Sequence, residues 1–169
     1  MDMDGVLVEY RKDDKVYLTY EELVEEGSFL HRNPVPVIVK AFKFLVENFN
    51  IDVHVLSVSP NEKTDEEKLT WLGNHLRNYV FKDNVHFVRK TIEKVDYMNE
   101  LYYALKEDHD KVYGTKLKRS DVIVVDDTHE VLYAMEDKGF TAWHPTSLLN
   151  FYFLGTQQEK NVLSTKGTV

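Results

Sequence analysis

Short runs of β-branched residues that alternate with helical patterns constrain the fold most. The runs typical of buried strands are residues 51–56 (IDVHVL), 85–88 (VHFV) and 121–125 (DVIVV). Apolar side chains recur at helical spacing in residues 37–48, 66–79, 93–107 and 130–138. Strands that alternate with helices favour a parallel sheet with helices on both faces, which is an α/β fold.

The first residues, Met1-Asp2-Met3-Asp4-Gly5, place two carboxylates where an extended segment turns into a loop. Side chains two apart on an extended chain point the same way, so Asp2 and Asp4 are predicted to lie side by side. The carboxyl edge of a parallel sheet is where ligands bind, so this pair suits a cation and an anionic substrate. A charged tail or turn is the alternative interpretation.

Polar residues also follow two of the predicted strands. Ser57, Val58 and Ser59 follow residues 51–56, and their hydroxyls and amides could bind phosphate oxygens, although ordinary turn residues look the same. Asp126 and Asp127 follow residues 121–125, where helix capping would explain one aspartate but not both. Acids that converge from both ends of the chain should be neutralised by a divalent cation, and oxygen ligands favour Mg²⁺.

Composition and charge limit the classes of binding partner that suit this chain. A chain of 169 residues with 43% apolar residues fits a single domain, and a net charge of -8 without a basic stripe disfavours duplex nucleic acid and anionic membranes. A small phosphate ester remains a suitable partner, because a bound metal reverses the local charge. The absence of cysteine excludes thiol chemistry. No run of apolar residues is long enough to span a membrane, so a cytoplasmic location is expected.

Two regions are predicted to lie outside the central repeat. Residues 10–36 are too long for a simple connection, and they are predicted to form a small cap. Within this cap, the Thr19–Glu22 capping-box spacing predicts a short helix over Tyr20–Glu26 that ends at Gly27. Residues 150–169 form a C-terminal extension in which FYFL is expected to pack and the last residues to be mobile.

The order of these motifs resembles that of the haloacid dehalogenase (HAD) superfamily of phosphohydrolases. The order is Asp2-x-Asp4-Gly5, then Ser57, then a lysine, then Asp126-Asp127. Within the superfamily the chain is most similar to the 5'(3')-deoxyribonucleotidase family, through DMDGVL, GSFLHRNPVPVIVKAFKFL, LSVSPN, EEKLTWL, EKVDYM and DVIVVDDTHEVL, over residues 1 to 145. The resemblance implies a Rossmann-like parallel sheet, a small helical cap inserted after the first strand, and a hydrolase that dephosphorylates nucleoside monophosphates.

The resemblance also implies a role for each matched residue. Asp2 would be the nucleophile that forms an aspartyl-phosphate, and Asp4 would be the general acid and base. Ser57 would bind a phosphoryl oxygen, helped by the Val58 amide and Ser59, while a lysine neutralises the transition state. Mg²⁺ would be held by Asp2, the Asp4 carbonyl, Asp126 and Asp127.

The lysine and the substrate-selecting residues have several candidates. Lys94, in EKVDYM, is favoured as catalytic and phosphate-binding lysine over Lys90 and Lys116. Residues of the cap could contact a base or sugar, although packing of the cap onto the core would explain them equally well. These residues are Phe29, Leu30, Tyr17 and His31.

Other functions stay open at this point. The substrate could be another small phosphorylated metabolite, or the chain could be a catalytically idle member that binds a nucleotide or a protein partner. A plain structural α/β domain is a further alternative. The family has several apolar residues before the nucleophile, whereas only Met1 precedes Asp2 here, so the chain could fold and yet be slow or inactive. The oligomeric state is also open, with a homodimer as one option.

Overall fold

The structure is a computed structural model that describes residues 1–10, 19, 21–22, 25, 27–49 and 51–154. Tyr17, most of the predicted Tyr20–Glu26 helix and the tail over residues 155–169 lie outside the described residues. The described part contains both helices and parallel strands, so the predicted mixed α/β class is confirmed.

Helices and strands alternate along the described chain. The helices are α1 (Pro36–Asn48), α2 (Glu62–Leu76), α3 (Glu93–Tyr113) and α4 (His129–Asp137), and residues 145–154 are also helical. The strands are β1 (Val55–Val58), β2 (Val85–Val88), β3 (Ile123–Val125) and β4 (Thr141–Trp143). Two 3₁₀ turns, Lys82–Asn84 and Arg119–Asp121, lead into β2 and β3.

Side-chain contacts explain where two elements differ from the prediction. The strand predicted from residue 51 begins only at Val55, because the Asn84 side chain donates to Val53 O (3.1 Å) and so satisfies that carbonyl. Helix α2 begins at Glu62 rather than at residue 66. The Asn61 side chain accepts from Thr64 N (2.9 Å) and caps the helix one turn earlier.

The strands form two short parallel sheets, β1 with β2 and β3 with β4. Residues 1–2 are hydrogen-bonded to both. Met1 N donates to His54 O (2.8 Å), and Leu56 N donates to Met1 O (3.0 Å), which joins the first residue to β1. Asp2 N donates to Val125 O (2.9 Å), which joins the second residue to β3. The N-terminal residues therefore lie between the two sheets.

Helices cover both faces of these strands. Val55 and Val125 belong to a cluster of buried residues that includes Phe42 of α1 and Trp71 of α2. Their neighbours Leu56 and Val124 belong to a second cluster that contains side chains of α3 and α4. Successive strand residues point to opposite faces, so the two clusters mark opposite sides of the strands. Helices α1 and α2 thus pack on one side of these short strands, and α3 and α4 pack on the other.

A cavity of about 850 Å³ lies between β1 and β3, beside Met1. Apolar side chains of α1 and α3 line much of it: Phe42, Leu45, Met98, Leu101 and Leu105. Asp2, Lys94 and Asp126 also contribute to its wall. Each helix of the described residues is too short or too polar to span a lipid bilayer.

Candidate active site

The chain leaves residues 1–2 through a tight turn that brings it against Asp127. The N–H groups of Val6, Leu7 and Val8 all donate to Met3 O, at 3.2, 2.8 and 2.9 Å. Gly5 has a φ of +70°, and a Cβ atom at this position would lie 2.1 Å from Asp127 Oδ2. A side chain at this position would be strained by the positive φ and would clash with Asp127. The glycine therefore allows the turn to lie close to Asp127.

Three aspartates from the two ends of the chain meet at this turn. Asp2, Asp126 and Asp127 offer carboxylate oxygens that all lie within 4.8 Å of one another. Lys94, near the start of α3, lies among them and donates to Asp2 Oδ2 at 2.9 Å and to Asp126 Oδ2 at 2.7 Å. The structure thus brings the favoured lysine to the acids, whereas Lys90 and Lys116 are exposed.

Two carboxylate oxygens in this group are buried without a hydrogen-bond partner among the described residues, Asp2 Oδ1 and Asp127 Oδ1. The other oxygens are satisfied: Asp126 Oδ1 accepts from Thr128 N (2.9 Å), and Asp127 Oδ2 accepts from the Tyr10 hydroxyl (3.1 Å). A buried acceptor without a partner costs about 1–3 kcal/mol, and more when it is charged. A bound cation would remove that cost.

The electrostatics of the group reflect its burial. Burial raises the pKa of Asp2 to about 6, against the lowering effect of Lys94. Burial also raises the pKa of Asp127, while the hydrogen bond from Tyr10 opposes the rise. Burial lowers the pKa of Lys94, but the charges of Asp2 and Asp126 together outweigh it and the pKa is raised. The ammonium of Lys94 therefore stays charged and compensates part of the acid cluster.

Asp4 lies apart from this cluster and is held by two cations. Arg32 Nη1 donates to Asp4 Oδ1 (2.8 Å), and Lys68 Nζ donates to Asp4 Oδ2 (2.5 Å). Lys68 also donates to Ser57 Oγ (2.8 Å) and to Val58 O (2.7 Å). The predicted phosphate-binding serine and the predicted acid–base residue are therefore joined through one buried ammonium.

Two residues of the site, Lys68 and Arg32, were not predicted from the sequence. Lys68 lies on the same face of α2 as Thr64, Trp71 and Leu72, all of which are buried, so its position relative to these residues was the available signal. A lysine in a helix is nevertheless usually a solvated surface charge. Arg32 lies in an irregular segment before two prolines, and no pattern marks it.

The remaining predicted site residues differ in their burial and in their contacts. Ser59 is buried, and its hydroxyl donates to Asn61 O (3.3 Å), so it faces the start of α2. Phe29 is 1% exposed and packs edge-on against Trp71 at 6.4 Å between ring centroids, which matches the packing alternative for this residue. Leu30 and His31 are exposed.

Comparison of the chain with protein-family models, with curated proteins and with solved structures finds no match. The geometry of the site is therefore the basis on which a function is proposed.

Proposed function

We propose that this protein is a magnesium-dependent phosphomonoesterase of the HAD type. It works through an aspartyl-phosphate on Asp2 and acts on deoxynucleoside monophosphates or similar small phosphates in the cytoplasm. One observation carries the proposal: Asp2 Oδ1 and Asp127 Oδ1 are buried in a cluster of three aspartates, and no group of the described chain donates to them. Such an arrangement is costly in a purely structural role and favourable around a cation.

The backbone hydrogen bonds support one continuous sheet. Residues 1–2 bond to β1 on one side and to β3 on the other, which gives the spatial order β2, β1, residues 1–2, β3, β4. With helices on both faces, one sheet in this order would be the doubly wound, Rossmann-like arrangement that we propose. The acids lie at the carboxyl ends of its central strands, where such sheets bind ligands, and residues 10–36 would form the cap above them.

The residues present suit Mg²⁺. The free oxygens are carboxylate oxygens, the ligand type that Mg²⁺ prefers, and the described chain offers no softer ligand in the group. Asp2, Asp126 and Asp127 would hold the ion, and the Asp4 carbonyl would complete the set. The bound ion would supply positive charge between the substrate phosphate and the carboxylates.

The side chains of the site support two successive displacements at phosphorus. In the first, a carboxylate oxygen of Asp2 forms a bond to phosphorus as the ester P–O bond breaks. Both oxygens of Asp4 accept from cations in the structure, so Lys68 would turn from Asp4 Oδ2 to the phosphoryl group, Oδ2 would take up a proton from solvent, and Asp4 would pass that proton to the leaving oxygen. In the second, Asp4 takes a proton from water, which attacks the phosphorus and releases phosphate from Asp2. Each step needs an acid–base group opposite the nucleophile, and Asp4 is separated from Asp2 by one residue.

The phosphoryl oxygens would meet the Ser57 hydroxyl and the Lys68 ammonium. Both groups are buried, and Lys68 Nζ lies 2.8 Å from Ser57 Oγ. Lys94 would neutralise Asp2 and Asp126 from the other side. A divalent cation and a phosphate dianion carry equal and opposite charges, so they can enter this site together without changing its net charge.

The test is phosphate release from a panel of nucleoside and deoxynucleoside monophosphates, with Mg²⁺ and with a chelator. We expect release that requires Mg²⁺ and is abolished in Asp2→Asn. Asp83 is an exposed aspartate on the turn before β2, so Asp83→Asn is a matched loss of charge away from the site and should keep full activity. Full-rate hydrolysis by Asp2→Asn would exclude the mechanism, and nucleotide binding without turnover would point to an idle member.

A further inference from the structure

Each oxygen of the Asp4 carboxylate forms an ion pair with one cation, Arg32 from the loop at residues 27–32 or Lys68 from α2. Arg32 Nη1 lies 2.8 Å from Oδ1, and Lys68 Nζ lies 2.5 Å from Oδ2. Both cationic side chains are 2% exposed, whereas the Asp4 side chain is 22% exposed. The carboxylate thus reaches solvent while its orientation is set by buried partners.

Arg32 is itself held in place from several directions. Its guanidinium lies over the Phe29 ring at 4.7 Å, and its carbonyl accepts from Trp71 Nε1 at 2.9 Å. The loop before it is fixed to α2, because the Glu67 carboxylate accepts from Gly27 N (2.6 Å) and from Phe29 N (3.1 Å). Residues 27–32 and α2 therefore form one unit, which presents Arg32 and Lys68 to Asp4 together.

The contacts separate the two cations by role. Lys68 also bonds to Ser57 Oγ and Val58 O, so it lies where a phosphoryl group would bind. The guanidinium of Arg32, in contrast, bonds to Asp4 through Nη1, and its Nε has no hydrogen-bond partner among the described residues. Loss of the Arg32 side chain would thus free one oxygen of Asp4 and leave the Lys68–Ser57 contact in place.

We infer that Arg32 is a positioning residue for the acid–base step: it fixes the Asp4 carboxylate in the direction of the leaving oxygen and does not itself contact substrate. The inference rests on the proposed phosphatase function. A misplaced general acid matters most when the leaving group is a poor one, such as the alkoxide of a nucleoside. It matters little for p-nitrophenolate, which leaves readily without a proton.

The experiment compares kcat/KM for a deoxynucleoside monophosphate and for p-nitrophenyl phosphate, both with saturating Mg²⁺. Arg32→Met should lower the value for the nucleotide by about 10- to 100-fold, the range expected from misplacing a general acid, and change that for the aryl ester about threefold or less. Asp4→Asn should show the same dependence on the leaving group. Arg32→Lys should recover part of the loss, because it keeps the charge but not the planar geometry of the guanidinium.

A control separates positioning from loss of stability. Arg119 also stacks its guanidinium on an aromatic ring, that of Tyr102 at 4.8 Å, but it lies outside the site, so Arg119→Met should leave the ratio of the two rates unchanged. Equal losses of Arg32→Met and Arg32→Lys on both esters would overturn the inference while leaving the proposed function intact. Failure of the unmodified protein to hydrolyse either ester would overturn the proposed function and the inference with it.

Discussion

The cavity between β1 and β3 allows the one-sheet arrangement to be tested by extending the chain. Residues 1–2 already bond to both strands, so residues added before Met1 should continue as a strand into the cavity. The extension Lys-Ile-Val-Val would place three β-branched side chains between the apolar surfaces of α1 and α3 and leave the lysine at the mouth, where Asp52, Asp108 and Asp121 belong to the lining.

The expected gain follows from opposing contributions. Three buried β-branched side chains contribute about 5–9 kcal/mol, and new ladder hydrogen bonds add about 2–4 kcal/mol. Ordering four residues costs about 4–8 kcal/mol. Burial lowers the pKa of the Met1 amine from 8.0 to about 6, so replacing the amine by an amide relieves about 1 kcal/mol more at neutral pH. The midpoints of these contributions give a net gain of about 5 kcal/mol, which for a chain of this length raises Tm by about 10–20 °C.

Thermal unfolding checks this against a matched extension, Lys-Gly-Ser-Ser, which has the same length and charge without the apolar side chains. Hydrogen exchange supplies a local measurement. Val125 O accepts from Asp2 N and His54 O accepts from Met1 N, so the amides of Val125 and His54 face the same side and should become protected. Equal Tm values for the two extensions, with no new protection at either amide, would refute the strand position.

Three further predictions concern the acid cluster. Asp127→Asn should weaken the rise in Tm caused by Mg²⁺, measured by thermal unfolding, because it removes an anionic ligand; Asp83→Asn should not. Gly5→Ala should lower the free energy of unfolding, measured in urea, by about 1–2 kcal/mol because of the φ of +70° alone. The clash of the new Cβ atom with Asp127 should lower it further. In a chelator, the unfolding free energy should fall by about 2 kcal/mol as pH rises from 4 to 6, since burial raises the pKa of Asp2 from 3.8 to about 6 and the folded state holds that proton more tightly. Asp2→Asn should remove this fall, and a fall of the same size in that variant would contradict the assignment.

Local periodicity was enough to predict most elements. Strand β2 has the predicted bounds, Val85–Val88, and α1 begins one residue before its predicted start. The prediction for β3 began two residues early. The Asp121 carboxylate accepts from Lys118 N (2.9 Å) and so places residues 119–121 in a 3₁₀ turn. No apolar pattern in the sequence reveals such a contact between a side chain and the backbone.

The C-terminal FYFL segment shows that apolar composition alone does not predict which side chains are buried. It was expected to pack, and in part it does, because the Phe151 ring lies 5.8 Å from that of Trp143. Phe153 and Leu154, in contrast, are 54% and 65% exposed. Tyr152 does pack, with its ring 5.2 Å from that of Phe44. Apolar residues favour burial only where a partner surface is available, and the sequence does not show which surfaces are available at residues 145–154.

The candidate site divides in the same way. Asp2, Asp126 and Asp127 follow strands or the N-terminal segment, so their convergence at one edge follows from parallel topology, and the sequence predicts it. Asp4 was predicted to lie beside Asp2, but its carboxylate is instead bound by Arg32 and Lys68. The cations of the site come from α2, α3 and the loop at residues 27–32. Arg32 and Lys68 are 28 and 64 positions from Asp4, and Lys94 is 32 positions from Asp126. These pairs form only when the helices dock on the strands, so docking both builds the core and neutralises the acids. A change that weakens the packing of α2 should therefore break the Lys68–Asp4 ion pair before it alters the positions of the three aspartates, because Lys94 belongs to a different helix.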